Sequence, residues 1–198
     1  MVVDTAGVTI KESELVIQAQ AGRLAAFGTL ISHYQERLYA LALRLTGSDD
    51  DAAEIVQETF LRALKAIRQF KRKSTFYTWL VRIMINLVND QRDRKRRESQ
   101  YLTQQKRVVL EGSQAGRLLD LGDPAGAMQA RETSESVHRA LETLDPDHKQ
   151  ALVLRELEQF SYKQIAEMLE ISEGTVKSRL FRARESLRKS LAHYLDDG

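Results

Sequence analysis

The chain has 198 residues, of which 42% are hydrophobic and 29% charged, and its net charge is +2. This length is enough for one medium domain or two small ones. The absence of cysteine excludes a disulfide framework and thiolate metal sites, and two prolines and ten glycines are too few for a sheet with many turns. We therefore expect an all-α protein.

The N-terminus shows no apolar run after a basic start, so we expect neither a signal peptide nor insertion into a membrane, and a cytoplasmic protein. The histidines are scattered and lack the spacing of metal ligands: His33, His138, His148 and His193. We therefore expect no metal and no other cofactor.

From Glu12 to Thr46 the apolar residues recur at steps of three and four, which is the period of an amphipathic helix. Gly22 is expected to divide this run into two helices. The stretch TGSDDD, residues 46–51, should end the second helix and offers Ser48 or Asp49 as the N-cap of a third.

The third predicted helix, DDAAEIVQETFLRALKAIRQF, has an apolar stripe and an opposite acidic face that includes Glu54, Gln57 and Glu58. After Phe70 a short basic break, KRKST, precedes FYTWLVRIMINLVNDQRDRKRR. This fourth helix is apolar at its start and strongly basic at its end.

Residues 98–130 lose the helical period and hold a Gly-Asp-Pro-Ala-Gly stretch, so we interpret them as a flexible linker between two small helical domains. Several apolar residues in this linker indicate that it contacts a groove on a partner. They are Val108, Val109, Leu110, Leu118, Leu119 and Leu121.

Helices resume at Arg131, with Pro146 near the start of one, and Ser161 and Ser172 precede the last two. We expect the final helix to begin at Gly174 or Thr175. Two short helices joined by a tight turn, with apolar residues facing inward, predict a helix-turn-helix. The inward residues are Ile165, Ala166, Leu169, Ile171, Val176 and Leu180.

The last helix carries the side-chain types that reach guanine edges, phosphates and thymine methyls in a major groove. The predicted duplex-binding residues are Thr175, Lys177, Ser178, Arg179, Phe181, Arg182 and Arg184. A second basic run lies between Lys71 and Arg97, and an acidic segment, residues 49–58, lies just upstream of it. Such segregation indicates two surfaces for nucleic acid and one for a different partner.

These segments carry a family resemblance. FSYKQIAEMLEISEGTVKSRLFRARESLRK resembles the C-terminal DNA-binding region of bacterial sigma factors of the extracytoplasmic function (ECF) class, RpoE-like. DAAEIVQETFLRALKAIRQF and FYTWLVRIMINLVNDQRDRKRR resemble the core-binding and −10-reading regions of the same class, in family order. The resemblance implies sigma region 2 over residues 1–97, the linker over 98–130 and sigma region 4 over 131–198.

The resemblance also implies roles for residues. Glu54, Gln57 and Glu58 would contact core RNA polymerase. The positions that match the surface for the melted −10 strand are Lys73, Ser74, Tyr77, Trp79, Arg82, Asn86 and Arg92. Trp79 has two interpretations, a wedge at the upstream edge of the duplex or plain core. Where members of the class often have a glycine and an acidic residue, this chain has a basic loop, residues 71–73, which implies firmer but less selective DNA binding.

The implied partners are core RNA polymerase, promoter DNA and an anti-sigma factor. A stand-alone regulator that uses only the helix-turn-helix is the alternative, although it would not need both an acidic partner face and a strand-reading helix. An enzyme lacks support because the chain has no Gly-rich phosphate loop, no nucleophile paired with a base, and no carboxylate cluster beyond the cap at Asp49 to Asp51. We therefore expect a non-enzymatic specificity subunit.

Overall fold

The computed structural model describes residues 2–3, 9–106 and 140–195, and the side chains of residues 11–102 and 140–191. A two-residue antiparallel ladder joins Val2–Val3 to Thr9–Ile10, and the other elements described are helical, which confirms the all-α prediction. The α-helices are α1 (Glu12–Gln20), α2 (Leu24–Thr46), α3 (Asp49–Ala66), α4 (Phe76–Lys106), α5 (Pro146–Leu152), α6 (Tyr162–Leu169) and α7 (Glu173–Leu195). A 3₁₀ turn, Ile67–Gln69, follows α3, and a π-helical turn, Val153–Leu157, continues α5.

The helix ends of the N-terminal unit (α1 to α4) follow local signals. Gly22 separates α1 from α2 with a φ of 90°, and Gly47 ends α2 with a φ of 71°, a region that glycine occupies without strain. The Ser48 hydroxyl accepts a hydrogen bond from the Asp51 N–H and so caps α3. Both boundaries agree with the sequence prediction.

The core of the N-terminal unit lies where α2 packs against α1, α3 and α4. Leu30, Leu38 and Leu41 of α2 are fully buried, as are Leu80 and Met84 of α4. Burying each of these side chains contributes roughly 1.5–3 kcal/mol. The core fixes the rotation of α3 and α4, and therefore decides which of their residues face outward.

Helix α4 continues to Lys106, whereas the linker was predicted to begin at residue 98. The intervening stretch, ESQYLTQQK, contains neither glycine nor proline, so nothing in it stops a helix that has already formed. The remainder of the predicted linker, with its apolar residues from Val108 to Leu121, lies outside the described residues.

In the C-terminal unit (residues 140–195), the Asp145 side chain caps α5, and Pro146 occupies its first turn as predicted. Ser161 and Gln164 form a reciprocal capping box at the start of α6. Helix α7 begins at Glu173, one residue before the earliest predicted position, because the Ser172 hydroxyl already accepts a hydrogen bond from the Thr175 N–H.

The inward face of the helix-turn-helix is closely packed. Ile165, Val176 and Leu180 are buried, and Ala166 lies close to the turn, where its carbonyl accepts a hydrogen bond from the Ile171 N–H. This packing directs the opposite face of α7 outward. Within the described ranges, no helix combines the length and apolarity needed to cross a bilayer.

Candidate nucleic-acid and partner interfaces

The outward face of α7 carries most of the predicted duplex-binding residues. Lys177, Ser178 and Arg182 are exposed, and Phe181 is 68% exposed although it is a large apolar side chain. Phe181 lies on the same outward face as the cations Lys177 and Arg182. This face therefore combines cations with an apolar group, as a major-groove surface does.

Two other predicted arginines of α7 are held by carboxylates of their own unit. Arg179 lies 2.5 Å from Asp147 of α5, and Arg184 lies 2.6 Å from Glu156. The hydrogen bond from Arg184 to Glu156 raises the pKa of Arg184 above its ordinary value. Thr175 is half-buried, and its hydroxyl lies 2.9 Å from that of Ser172. These groups face α5 and the turn as well as solvent.

The loop before α4 and one face of α4 carry the predicted strand-reading residues Lys73, Ser74 and Asn86, which are all exposed. Arg72, next to them, has a φ of 54°, in the left-handed region that favours glycine. The loop thus carries a basic side chain on a backbone conformation that favours glycine.

Trp79 packs on its neighbours. Its ring stacks on Phe70 with 4.8 Å between centroids and lies 5.6 Å from the ring of Phe76. Phe70 and Phe76 belong to the core, and Trp79 covers them while remaining half-exposed. This packing favours the core interpretation of Trp79 over the wedge.

The remaining strand-reading candidates contact the C-terminal unit. Tyr77 is buried and donates a 2.7 Å hydrogen bond to the carboxylate of Glu158. Burial, and then this hydrogen bond, raise the pKa of Tyr77 well above its ordinary value. Arg82 donates a 2.7 Å hydrogen bond to the backbone carbonyl of Glu167, and Arg92 lies 2.6 Å from Asp147.

Two residues of this contact, Arg37 and Glu158, were not predicted from the sequence. The guanidinium of Arg37 lies 3.9 Å from the centre of the Tyr77 ring and 2.8 Å from the Glu158 carboxylate. Arg37 and Glu158 are separated by 121 positions in the chain, so no local pattern could pair them. A π-helical turn over Val153–Leu157 and the positive φ of Gln159, at 59°, flank Glu158.

The acidic face of α3 lines a groove of about 460 Å³ between α3 and α4. Glu54 and Gln57 are exposed, Glu58 is half-exposed, and Leu61, which was not predicted, is 44% exposed. Glu58 accepts a 2.8 Å hydrogen bond from Arg62. From α4 the groove is lined by Leu87, Asp90, Gln91 and Arg94. The lining of the groove combines the apolar Ile55, Leu61 and Leu87 with charged residues of both signs, which suits an amphipathic helix of a partner.

Two parts of the chain match models of one protein family. Residues 30–98 match Sigma-70 region 2, and residues 134–187 match Sigma-70, region 4. The chain belongs to the sigma-70 family. This sigma factor is 36% identical to the RNA polymerase sigma-H factor of Pseudomonas aeruginosa over 91% of its own length and 94% of the relative's. It is 34% identical to the ECF RNA polymerase sigma-E factor of Haemophilus influenzae over 92% of its own length and 96% of the relative's.

Solved structures agree with this assignment. The sigma factor resembles RpoE of Bartonella quintana, solved with the anti-sigma factor NepR, with a TM-score of 0.63 and 27% identity over 84% of this chain and 96% of that one. It shares its fold with CnrH, solved with the cytosolic domain of CnrY, at a TM-score of 0.63 and 24% identity over 92% of this chain and 97% of that one.

These findings confirm the predicted ECF sigma-factor identity. The protein directs promoter-specific transcription by RNA polymerase and is a non-enzymatic initiation factor. The stand-alone regulator is therefore not supported, because the N-terminal unit carries region 2 of a sigma factor.

Proposed function

We propose that this sigma factor reads its promoter at two sites, the −35 duplex with α7 and the −10 strand with α4 and the loop before it. The observation that carries the proposal is the outward face of α7. Because Val176 and Leu180 are buried against the rest of the helix-turn-helix, Lys177, Phe181 and Arg182 point away from the domain. That is how a recognition helix enters a major groove.

The exposed side chains of α7 suit different chemical groups of DNA. Arg182 suits the two acceptors on a guanine edge, Phe181 suits a thymine methyl, and Lys177 suits guanine or phosphate. A bidentate arginine contributes about 1–3 kcal/mol of discrimination against a wrong base, whereas a phosphate contact adds affinity that falls with salt. We therefore assign sequence reading at −35 mainly to Arg182.

The strand-reading surface combines the exposed Lys73, Ser74 and Asn86 with two cations of α4, Arg82 and Arg92. Asn86 can hydrogen bond to a base edge, and the arginines can hold phosphates. Tyr77 offers an aromatic ring on which a base can stack, worth about 1–3 kcal/mol per base. The ring is buried between Tyr34 and Arg37 of the same unit, so it can receive a base only after these side chains move.

Core RNA polymerase is the partner that we assign to the groove between α3 and α4. Glu54, Gln57 and Glu58 line one side of it, and the exposed Leu61 supplies an apolar contact. An anti-sigma factor is the second protein partner that we propose, because the RpoE and CnrH structures hold NepR and the cytosolic domain of CnrY. Since transcription takes place in the bacterial cytoplasm, we place the protein there.

In-vitro transcription tests the proposal. Purified bacterial core polymerase is given a pool of genomic fragments with and without the protein, and new transcription starts are mapped. New starts that share two spaced upstream motifs support two-site reading. Starts that share a −10 motif but no −35 motif would contradict the role of α7. An Arg182→Ala protein should lose preference at one position of the −35 motif, and Arg188→Ala, on the same helix, is the control.

A further inference from the structure

The KRKST loop (residues 71–75) is held at its two ends. Among the described residues, no backbone-to-backbone hydrogen bond joins residues 71–74 to another residue. After the loop, the Thr75 hydroxyl accepts a 3.0 Å hydrogen bond from the Thr78 N–H and so caps the first turn of α4. Before the loop, the Phe70 N–H donates a 3.1 Å hydrogen bond to the carbonyl of Ile67. The path of the loop therefore depends on how Phe70 and Thr75 are fixed.

Gln20, the last residue of α1, fixes the first of these two ends. Its side-chain amide donates a 2.8 Å hydrogen bond to the carbonyl of Phe70 and a 3.1 Å hydrogen bond to the carbonyl of Ile67. One amide nitrogen carries two hydrogens, so it can serve both acceptors. The Gln20 side chain is half-buried, and water competes less for these carbonyls than it would at an exposed position.

The ring of Phe70 links this anchor to α4. It stacks on Trp79 with 4.8 Å between centroids and lies 5.8 Å from the ring of Phe76, the first residue of α4. The two phenylalanines that flank the KRKST loop thus pack together, so the loop leaves and re-enters the unit at neighbouring points. Because Gln20 holds the carbonyl of Phe70, it sets the direction in which the loop leaves this cluster.

The composition of the KRKST loop makes such an anchor useful. Lys71, Arg72 and Lys73 are exposed cations that repel one another, and Arg72 has a φ of 54°, which is unfavourable for a residue with a side chain. A loop with these properties would spread over many conformations if its ends were free. A loop that is already ordered loses less conformational freedom when it binds a single strand.

We propose that Gln20 is a positioning residue for −10 recognition, whose amide holds Phe70 and Ile67 so that the KRKST loop presents Lys73 and Ser74 to the strand in one arrangement. This role rests on the proposed function of the loop. The alternative is that Gln20 only stabilises the packing of α1 against the 3₁₀ turn. The two roles differ in their effect on base preference, because a loss of stability lowers transcription from all templates in the same proportion.

Three variants separate these roles. Gln20→Met keeps the length of the side chain and removes both donors. Gln20→Lys restores donation, because an ammonium group can donate to both carbonyls. Gln18→Met is the matched control, since it makes the same chemical change on α1 and residues two positions apart do not share a helix face.

Base preference is measured in the complete holoenzyme. Each variant is assembled with purified core polymerase and transcribes, in one competitive reaction, promoters that differ only in the −10 element. The preference at each position is the ratio of transcription from the preferred base to that from the next, which does not depend on the amount of folded protein. Gln20→Met should lower this ratio about 3- to 10-fold at one or more positions, the scale of one or two net hydrogen bonds. Gln20→Lys and Gln18→Met should keep the ratio of the unaltered protein.

The fluorescence of Trp79, the single tryptophan of the chain, reports on the intermediate step. Because the Trp79 ring stacks on Phe70, release of Phe70 should expose the indole to water. The emission should therefore shift to longer wavelength in Gln20→Met and stay unchanged in Gln20→Lys and Gln18→Met.

An unchanged base preference in Gln20→Met would overturn the proposal, as would a loss of equal size in Gln20→Lys. A changed preference without a change in Trp79 emission would also overturn it, since the effect would not have passed through Phe70. Ser74→Ala, in the loop itself, tests the proposed function separately. If Ser74→Ala leaves the −10 preference unchanged, the proposed reading by the loop fails, whereas a loss in Ser74→Ala but not in Gln20→Met shows that the positioning role alone fails.

Discussion

The guanidinium of Arg92 lies 2.6 Å from the carboxylate of Asp147, so a basic side chain of region 2 is held by an acidic one of region 4. The other oxygen of the same carboxylate lies 2.5 Å from Arg179 of α7. The Asp147 carboxylate thus forms an ion pair with one arginine from each of the two proposed DNA-binding surfaces. A guanidinium group can form two parallel hydrogen bonds to a phosphate as well as to a carboxylate. Asp147 therefore competes with DNA phosphates for both arginines.

Replacing Asp147 with Asn should strengthen non-specific binding to duplex DNA. Log affinity falls linearly with log salt concentration, and each arginine that gains a phosphate contact should make the slope of this line more negative by about 1. Fluorescence anisotropy with a duplex of random sequence at several salt concentrations measures both quantities. Asp50→Asn, which makes the same charge change on α3, is the control, and an equal effect of both variants would show that net charge alone is responsible.

Replacing Arg182 with Ala should weaken transcription from a −35-dependent promoter by about 5- to 150-fold, the equivalent of about 1–3 kcal/mol. Arg182 is exposed on α7, so the substitution removes no core packing. Binding to core polymerase, measured by biolayer interferometry, should not change. A parallel loss of core binding would contradict a role confined to DNA.

Replacing Glu58 with Lys should reduce affinity for core polymerase by at least about tenfold, because it reverses a charge on the groove between α3 and α4. The fold should persist, since the pair lost with Arg62 is a surface i,i+4 contact worth about 0.3–0.5 kcal/mol. Circular dichroism checks the fold, and a binding titration against core polymerase checks the affinity. Glu14→Lys, on the exposed face of α1, should bind normally.

The helix boundaries could be predicted from the sequence because their causes are local. Gly22, Ser48 and Ser161 each act within one turn of their own position, through a positive φ or a side-chain cap. The end of α4 was missed because the polar residues after Arg97 are compatible with either a helix or a linker, and α4 had already been nucleated upstream.

The proposed surfaces were predicted only in part, for a physical reason. Exposure of Arg182 and Glu54 follows from the helical period, which a sequence displays. The hydrogen bond from Tyr77 to Glu158 joins two residues that lie 81 positions apart and belong to different units. The helical period places Tyr77 on α4 but carries no information about what packs over it, so its contact with Glu158 could be found only in the structure.

The Tyr77 phenol should make the stability of the protein depend on pH above about 10. Burial, followed by the hydrogen bond to Glu158, raises its pKa from the ordinary value of 10.0, and the charge of Arg37 only partly opposes this shift. As the pH rises past 10.0, the phenol ionises in the unfolded chain while it stays protonated in the folded one. The stabilisation is therefore complete below the ordinary value and is lost progressively above it, by up to about 1.4 kcal/mol per pH unit.

Urea denaturation followed by circular dichroism between pH 8 and pH 11 would measure this effect as the difference between the unaltered protein and Tyr77→Phe. The difference should be constant up to about pH 9 and should then shift in favour of the phenylalanine variant, because that variant has no phenol to ionise at this position. Tyr101→Phe, which removes a phenol from a residue that is 64% exposed, is the control. Parallel curves for Tyr77→Phe and the unaltered protein across this range would show that Tyr77 ionises as easily in the folded chain as in the unfolded one, and would contradict its burial against Glu158.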